Sequence, residues 1–96
     1  MNDKQVEYEE YYKAIEDSSK AIALDPDDAA AFLKRGVAYQ GLGWTDLAVK
    51  DWSTAIELNP NNVAALMSRG HSYAHLAEYE QAIRDWSRAL GLEKGL

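Results

Sequence analysis

The chain repeats itself at an interval of 34 residues. The segment KDWSTAIEL at 50 to 58 returns as RDWSRALGL at 84 to 92 and, more loosely, stands as EDSSKAIAL at 16 to 24. Asp17, Asp51 and Asp85 share that spacing, as do Ser19, Ser53 and Ser87, and Ala21, Ala55 and Ala89. Displaced by 34, residues 29 to 62 match residues 63 to 96 at twelve positions, among them Arg35 with Arg69, Gly36 with Gly70, Tyr39 with Tyr73, Ala48 with Ala82 and Trp52 with Trp86. A fixed period of this length is the mark of a stacked array, in which each copy covers apolar surface that its neighbour would leave in water.

Each unit reads as two helices. Phe32, Gly36, Tyr39 and Leu42, then Ala48, Trp52, Ala55 and Ile56, fall three or four apart, which places each set on one helical face. Gly43 stands where a left-handed residue ends a helix, and Thr45 with Asp46 is placed to cap the next. Pro26 and Pro60 follow the second helices, and the pairs Asp27–Asp28 and Asn61–Asn62 supply polar turn residues. The pattern predicts five helices near 7–24, 28–41, 45–58, 62–75 and 79–92, short loops and an all-α fold. It divides one domain, 1–96, into a half repeat at 1–28 and full repeats at 29–62 and 63–96.

Composition limits what such an array can do. There is no cysteine among the 96 residues, so disulfides and thiolate metal sites are excluded and a reducing compartment suits the chain. The start MNDKQVEYEEYY is acidic and has no apolar signal core, and no run approaches the roughly 20 apolar residues that span a bilayer. A soluble, cytoplasmic protein is expected. The net charge is −6, with nine acids and three bases in residues 1–28 and seven of each in residues 29–96. A basic stripe is missing, which argues against nucleic acid and membrane surfaces as partners.

Gly36, Gly70, Ala48 and Ala82 are expected to let paired helices approach closely, with Trp52 and Trp86 filling the wedge between hairpins. Arg35 and Arg69 would then lie in a helix interface, where an unpaired cation is costly. Because Asp17, Asp51 and Asp85 repeat in step with them, each arginine is expected to reach an Asp of its own or the preceding hairpin, its stem packed on the Trp below. The competing reading makes these arginines contacts for an acidic partner. Asp46 with Lys50 and Glu80 with Arg84 have the spacing of favourable pairs on a solvated convex face. Trp44 occupies a turn where the next unit has Glu78. It is expected to fold back into space left by Thr45 in place of Tyr79, or else to meet a partner.

These residues carry a resemblance. Phe32, Arg35, Gly36, Tyr39, Ala48, Trp52 and Pro60 resemble the tetratricopeptide repeat signature of an aromatic followed by L-G, Y, A, F and P. Leu66, Arg69, Gly70, Tyr73, Ala82 and Trp86 repeat it, and Ala14, Ala21 and Pro26 match its second half. Arg replaces the usual Leu before Gly36 and Gly70, Ser18 replaces the large aromatic, and Lys94 stands where the closing Pro belongs. The resemblance implies an α-solenoid of about two and a half units in a right-handed superhelix, acting as a protein-interaction scaffold. It also implies a concave groove built from the first helix of each hairpin, at Ala30, Leu33, Val37, Gln40 and Gly41, then Ala64, Met67, His71, Ala74 and His75. In the subgroup that clamps the acidic C-terminus of chaperones these sites hold Lys, Asn and Arg, whereas here they are mostly apolar. A protein or peptide partner that is apolar or amphipathic is therefore expected.

Chemistry other than binding has little support. His71 and His75 are four apart, a spacing at which two imidazoles can share a metal, but no third ligand is evident beyond Glu78. No nucleophile with a base and no phosphate loop accompanies them, so neither a catalytic residue, a cofactor nor a metal is expected. The unfinished ends offer an alternative function. Ile83 and Leu90 at one end, and Tyr8, Tyr11, Tyr12 and Ile15 at the other, would be left partly uncovered and are candidate contacts for a second copy.

Overall fold

The computed structural model describes residues 3–95, as five helices with no strand among them. They are α1 (Asp3–Leu24), α2 (Ala29–Gly41), α3 (Thr45–Leu58), α4 (Val63–His75) and α5 (Tyr79–Glu93). Four of them begin and end within a residue of the expected bounds. The exception is α1, which starts earlier, with Asp3 in its first turn, where an acid meets the positive end of the helix dipole.

Local chemistry sets the ends. Asp28 and Asn62 cap α2 and α4, their side chains accepting from the Ala31 and Ala65 amides at 3.1 and 3.0 Å. The expected cap at Thr45 is corrected by the structure. Trp44 and Glu78 hold the cap positions of α3 and α5, and neither makes a side-chain cap hydrogen bond. The turns before them instead finish the preceding helices: the Trp44 N–H donates to Tyr39 O at 2.8 Å and the Glu78 N–H to Tyr73 O at 2.7 Å, closing the ends of α2 and α4. Such a turn needs a left-handed residue. Gly43 adopts φ 79° as expected, but Ala77 takes the same role at φ 61° without being glycine.

Consecutive helices pack as antiparallel neighbours, and α2 also touches α4 directly, whereas no contact joins α1 to α3 or α3 to α5. The array therefore closes on the α2/α4 side and opens on the other, which makes α2 and α4 the inner, concave layer. Small residues allow this approach. Ala31, Ala38, Ala48, Ala55, Ala65, Ala82 and Ala89 are all buried. Gly36 and Gly70 carry the Trp52 and Trp86 rings, and a Cβ on either glycine would stand 2.5 Å from the indole Nε1. Trp52 is 2% exposed and donates to Leu33 O at 3.3 Å. Trp86 is only half-buried, with no helix beyond α5 among the described residues, and its Nε1 has no acceptor among them.

Candidate functional site

The polar layer between the helices is a repeated clamp. Arg35 Nε and Nη2 donate to the two Asp51 carboxylate oxygens at 2.7 and 2.9 Å, while Nη1 donates to Ser19 Oγ at 3.2 Å. Arg69 repeats the pattern with Asp85 at 2.7 and 2.7 Å and with Ser53 at 3.2 Å. Each arginine thus binds the Asp of its own hairpin and the Ser of the hairpin before. The hydrogen bond to Asp51 or Asp85 raises each guanidinium pKa above its usual value, against a smaller opposing effect of burial. Aromatic rings flank each guanidinium. The Arg35 guanidinium lies over the Phe32 and Tyr39 rings, at 5.6 and 5.7 Å, and that of Arg69 over Tyr73 at 5.5 Å. With three nitrogens engaged inside the fold, the arginines brace the array and are not presented to an acidic ligand. The period of Ser19 and Ser53 was visible in the sequence, yet only the geometry shows why it exists.

The groove positions are brought together in part. Val37, Gln40, His71 and His75 line one recess of about 320 Å³ between α2 and α4, floored by Trp52 and Ser72. Leu33 shares a larger recess with Val37 beside α1, and Ala30 borders a small one below it. Ala64, Met67 and Ala74 belong to none of these, although Met67 is exposed on α4. Gln40 is less free than its position suggests, since Oε1 accepts from Ser72 Oγ at 3.1 Å and ties α2 to α4. Gly41 carries the Tyr11 ring, with which a Cβ would collide. His71 stands edge-on to Trp86 at 5.6 Å. Among the described residues no group of three or more His, Cys, Asp or Glu side chains could hold a metal.

Elsewhere the surface departs from expectation. Tyr11 is half-buried on Gly41 and borders the recess between α1 and α2, whereas Tyr8 and Tyr12 are exposed. Trp44 does not fill the space beside Thr45, which stays open; it lies 6.0 Å from the Tyr12 and Tyr39 rings and is 43% exposed. Asp46 with Lys50 and Glu80 with Arg84 form no ion pair. Among the described residues the i,i+4 pair that does is Glu16 with Lys20 at 3.1 Å. Fully solvated pairs gain too little Coulomb energy to hold two long side chains still. No described helix is long and apolar enough to cross a membrane.

Sequence comparison agrees with this geometry. A "TPR repeat" profile matches residues 6–43, and "Tetratricopeptide repeat" profiles match residues 29–62 and 52–84. The chain belongs to the tetratricopeptide repeat family. Solved TPR structures superpose closely. MamA does so with a TM-score of 0.86 at 29% identity over 90% of this chain and 50% of its own, so the chain spans half of MamA's length. The second TPR of Spaghetti (RPAP3), bound to the HSP90 peptide SRMEEVD, has a TM-score of 0.83 at 30% identity over 85% of this chain and 76% of its own. The Arabidopsis OM64 TPR domain has a TM-score of 0.86 at 28% identity, over 92% and 73%. No curated protein matches the sequence.

Proposed function

We propose that this TPR chain is a non-catalytic protein-interaction scaffold that holds an apolar or amphipathic peptide or helix of a partner in its concave groove. The observation that carries this reading is the uncharged recess between α2 and α4. Val37 is 53% and Met67 38% exposed, Leu33 shares a recess with Val37, and no Lys or Arg lines the recess between α2 and α4. The acidic HSP90 peptide held by the Spaghetti (RPAP3) domain would meet no cation in that recess, and the chain's net charge of −6 would repel it. Residues 1–96 act as one domain in this reading, and the lack of cysteine suits the cytoplasm.

A peptide-display selection on immobilised protein tests it. Enriched peptides should carry apolar residues at helical or alternating spacing, and Val37→Glu with Met67→Glu should weaken them by about tenfold or more. Equal binding to the double variant, or saturable binding of SRMEEVD itself, would remove the proposal.

A second reading is favoured by α5, where Tyr79, Ile83 and Leu90 are 63%, 59% and 51% exposed along one face. Together with Tyr8 and Tyr12 on α1, they would support self-association through the terminal helices. Light scattering decides this: a monomer at high micromolar concentration excludes it.

A further inference from the structure

The hairpins α2/α3 and α4/α5 close in one register, and α1 carries that register with no helix opposite it among the described residues. On α3, Ala48, Asp51 and Trp52 are buried against α2, with Arg35 on Asp51. On α5, Ala82 and Asp85 are likewise buried, with Arg69 on Asp85. The same positions on α1 are Ala14, Asp17 and Ser18. They line an open recess of about 550 Å³ between α1 and α2, together with Glu10, Leu33 and Val37. Asp17 is exposed, where Asp51 and Asp85 are buried. Lys34 borders the recess but makes no ion pair within 4.0 Å among the described residues.

We propose that this recess seats a helix of a partner protein that presents an arginine to Asp17, completing a third hairpin between two chains. The occupant's chemistry follows from the two finished copies. A guanidinium matches both carboxylate oxygens, as in the Arg35–Asp51 and Arg69–Asp85 pairs, where an ammonium would meet one. Beyond the arginine the requirement differs. Gly36 and Gly70 follow their arginines because an indole lies over them, whereas the matching position on α1 is Ser18, a far smaller side chain that is 5% exposed and borders the recess. The partner should therefore place a large apolar residue directly after its arginine. Glu10 and the net charge of −6 over residues 1–28 favour a basic helix and oppose a second copy of this chain. The chain's own Arg35 and Arg69 are already bonded within their hairpins.

The test uses a fluorescein-labelled helical peptide with the α2 sequence, residues 29–41, carrying Gly36→Leu, titrated against the intact protein by fluorescence anisotropy. Saturable binding is expected. Asp17→Asn in the protein, or Arg35→Gln in the peptide, should each weaken it about tenfold, and the two together no further, because they remove one ion pair. Ser18→Trp should also weaken it by filling the space the leucine needs. Circular dichroism would show that both protein variants remain folded. No saturation at millimolar peptide, or indifference to Asp17→Asn, would overturn the proposal. So would a dimer that Asp17→Asn dissolves, since the occupant would then be a second copy.

Discussion

Arg35 lays the edge of its guanidinium on the Asp51 carboxylate, with Nε 2.7 Å from Oδ2 and Nη2 2.9 Å from Oδ1, while its remaining nitrogen reaches back to Ser19. One side chain therefore closes a hairpin and ties it to the one before. A lysine at this place supplies a single ammonium in place of the fork. Arg35→Lys should cost about 1–2 kcal/mol, and Asp51→Ala more, about 3 kcal/mol, because it strands a half-buried cation. Urea unfolding of the two variants and of their double mutant measures the coupling. A value near zero would show that the clamp contributes nothing.

The pH dependence of that clamp has a definite sign. The hydrogen bond to Asp51 raises the Arg35 pKa. A base with a raised folded pKa stabilises the fold fully below its unfolded pKa and loses that contribution only as pH climbs through the folded one. Both lie far above neutrality. The stability difference between wild type and Arg35→Gln should thus stay level from about pH 6 to pH 10, as read by thermal melts across that range.

Gly36 sits in the middle of α2, where alanine would ordinarily help the helix by about 1 kcal/mol. Here the added Cβ would stand 2.5 Å from Trp52 Nε1 and 2.8 Å from two further ring atoms. The clash should win, so that Gly36→Ala destabilises by about 1–3 kcal/mol and shifts the tryptophan emission. A stabilised variant would mean that the indole moves aside freely.

Ala77 and Gly43 hold equivalent turns with φ of 61° and 79°. A Cβ in the left-handed region costs roughly 1–2 kcal/mol, and glycine avoids that cost. Ala77→Gly should raise the melting temperature by about 4–8 °C, and Gly43→Ala, although it meets nothing within 4 Å, should lower it. Calorimetry on both variants checks the opposite signs.

The two repeated tryptophans are not equivalent. Trp52 is 2% exposed and hydrogen-bonded, whereas Trp86 is half-buried beside His71. Trp52→Ala should cost about 3–5 kcal/mol and Trp86→Ala roughly half of that. Equal losses in denaturant titrations would indicate that something else covers Trp86.

Much of the architecture was legible in the chain because repetition acts as an internal alignment. The glycine at 43 and the capping residues Asp28 and Asn62 mark turns through backbone chemistry that is local and short in range. The arginine clamp was half legible, since Asp51 and Ser19 recur in step with Arg35, but spacing alone could not say which hairpin supplies which partner. Thr45 looked like a cap and is not one. The cap position falls on Trp44, whose amide ends α2, and Thr45 is already the first helical residue of α3.

Sequence by itself determined that this protein is a stack of paired helices, since a 34-residue period of small and large apolar positions has few ways to leave water other than copy upon copy. Tertiary structure decided what each surface position became. Tyr11 was taken up by Gly41, Gln40 by Ser72 and Trp44 by two tyrosines, while Asp17 was left open. Those outcomes depend on which side chains from distant parts of the chain arrive within a few ångströms of one another, and helical spacing carries no information about that.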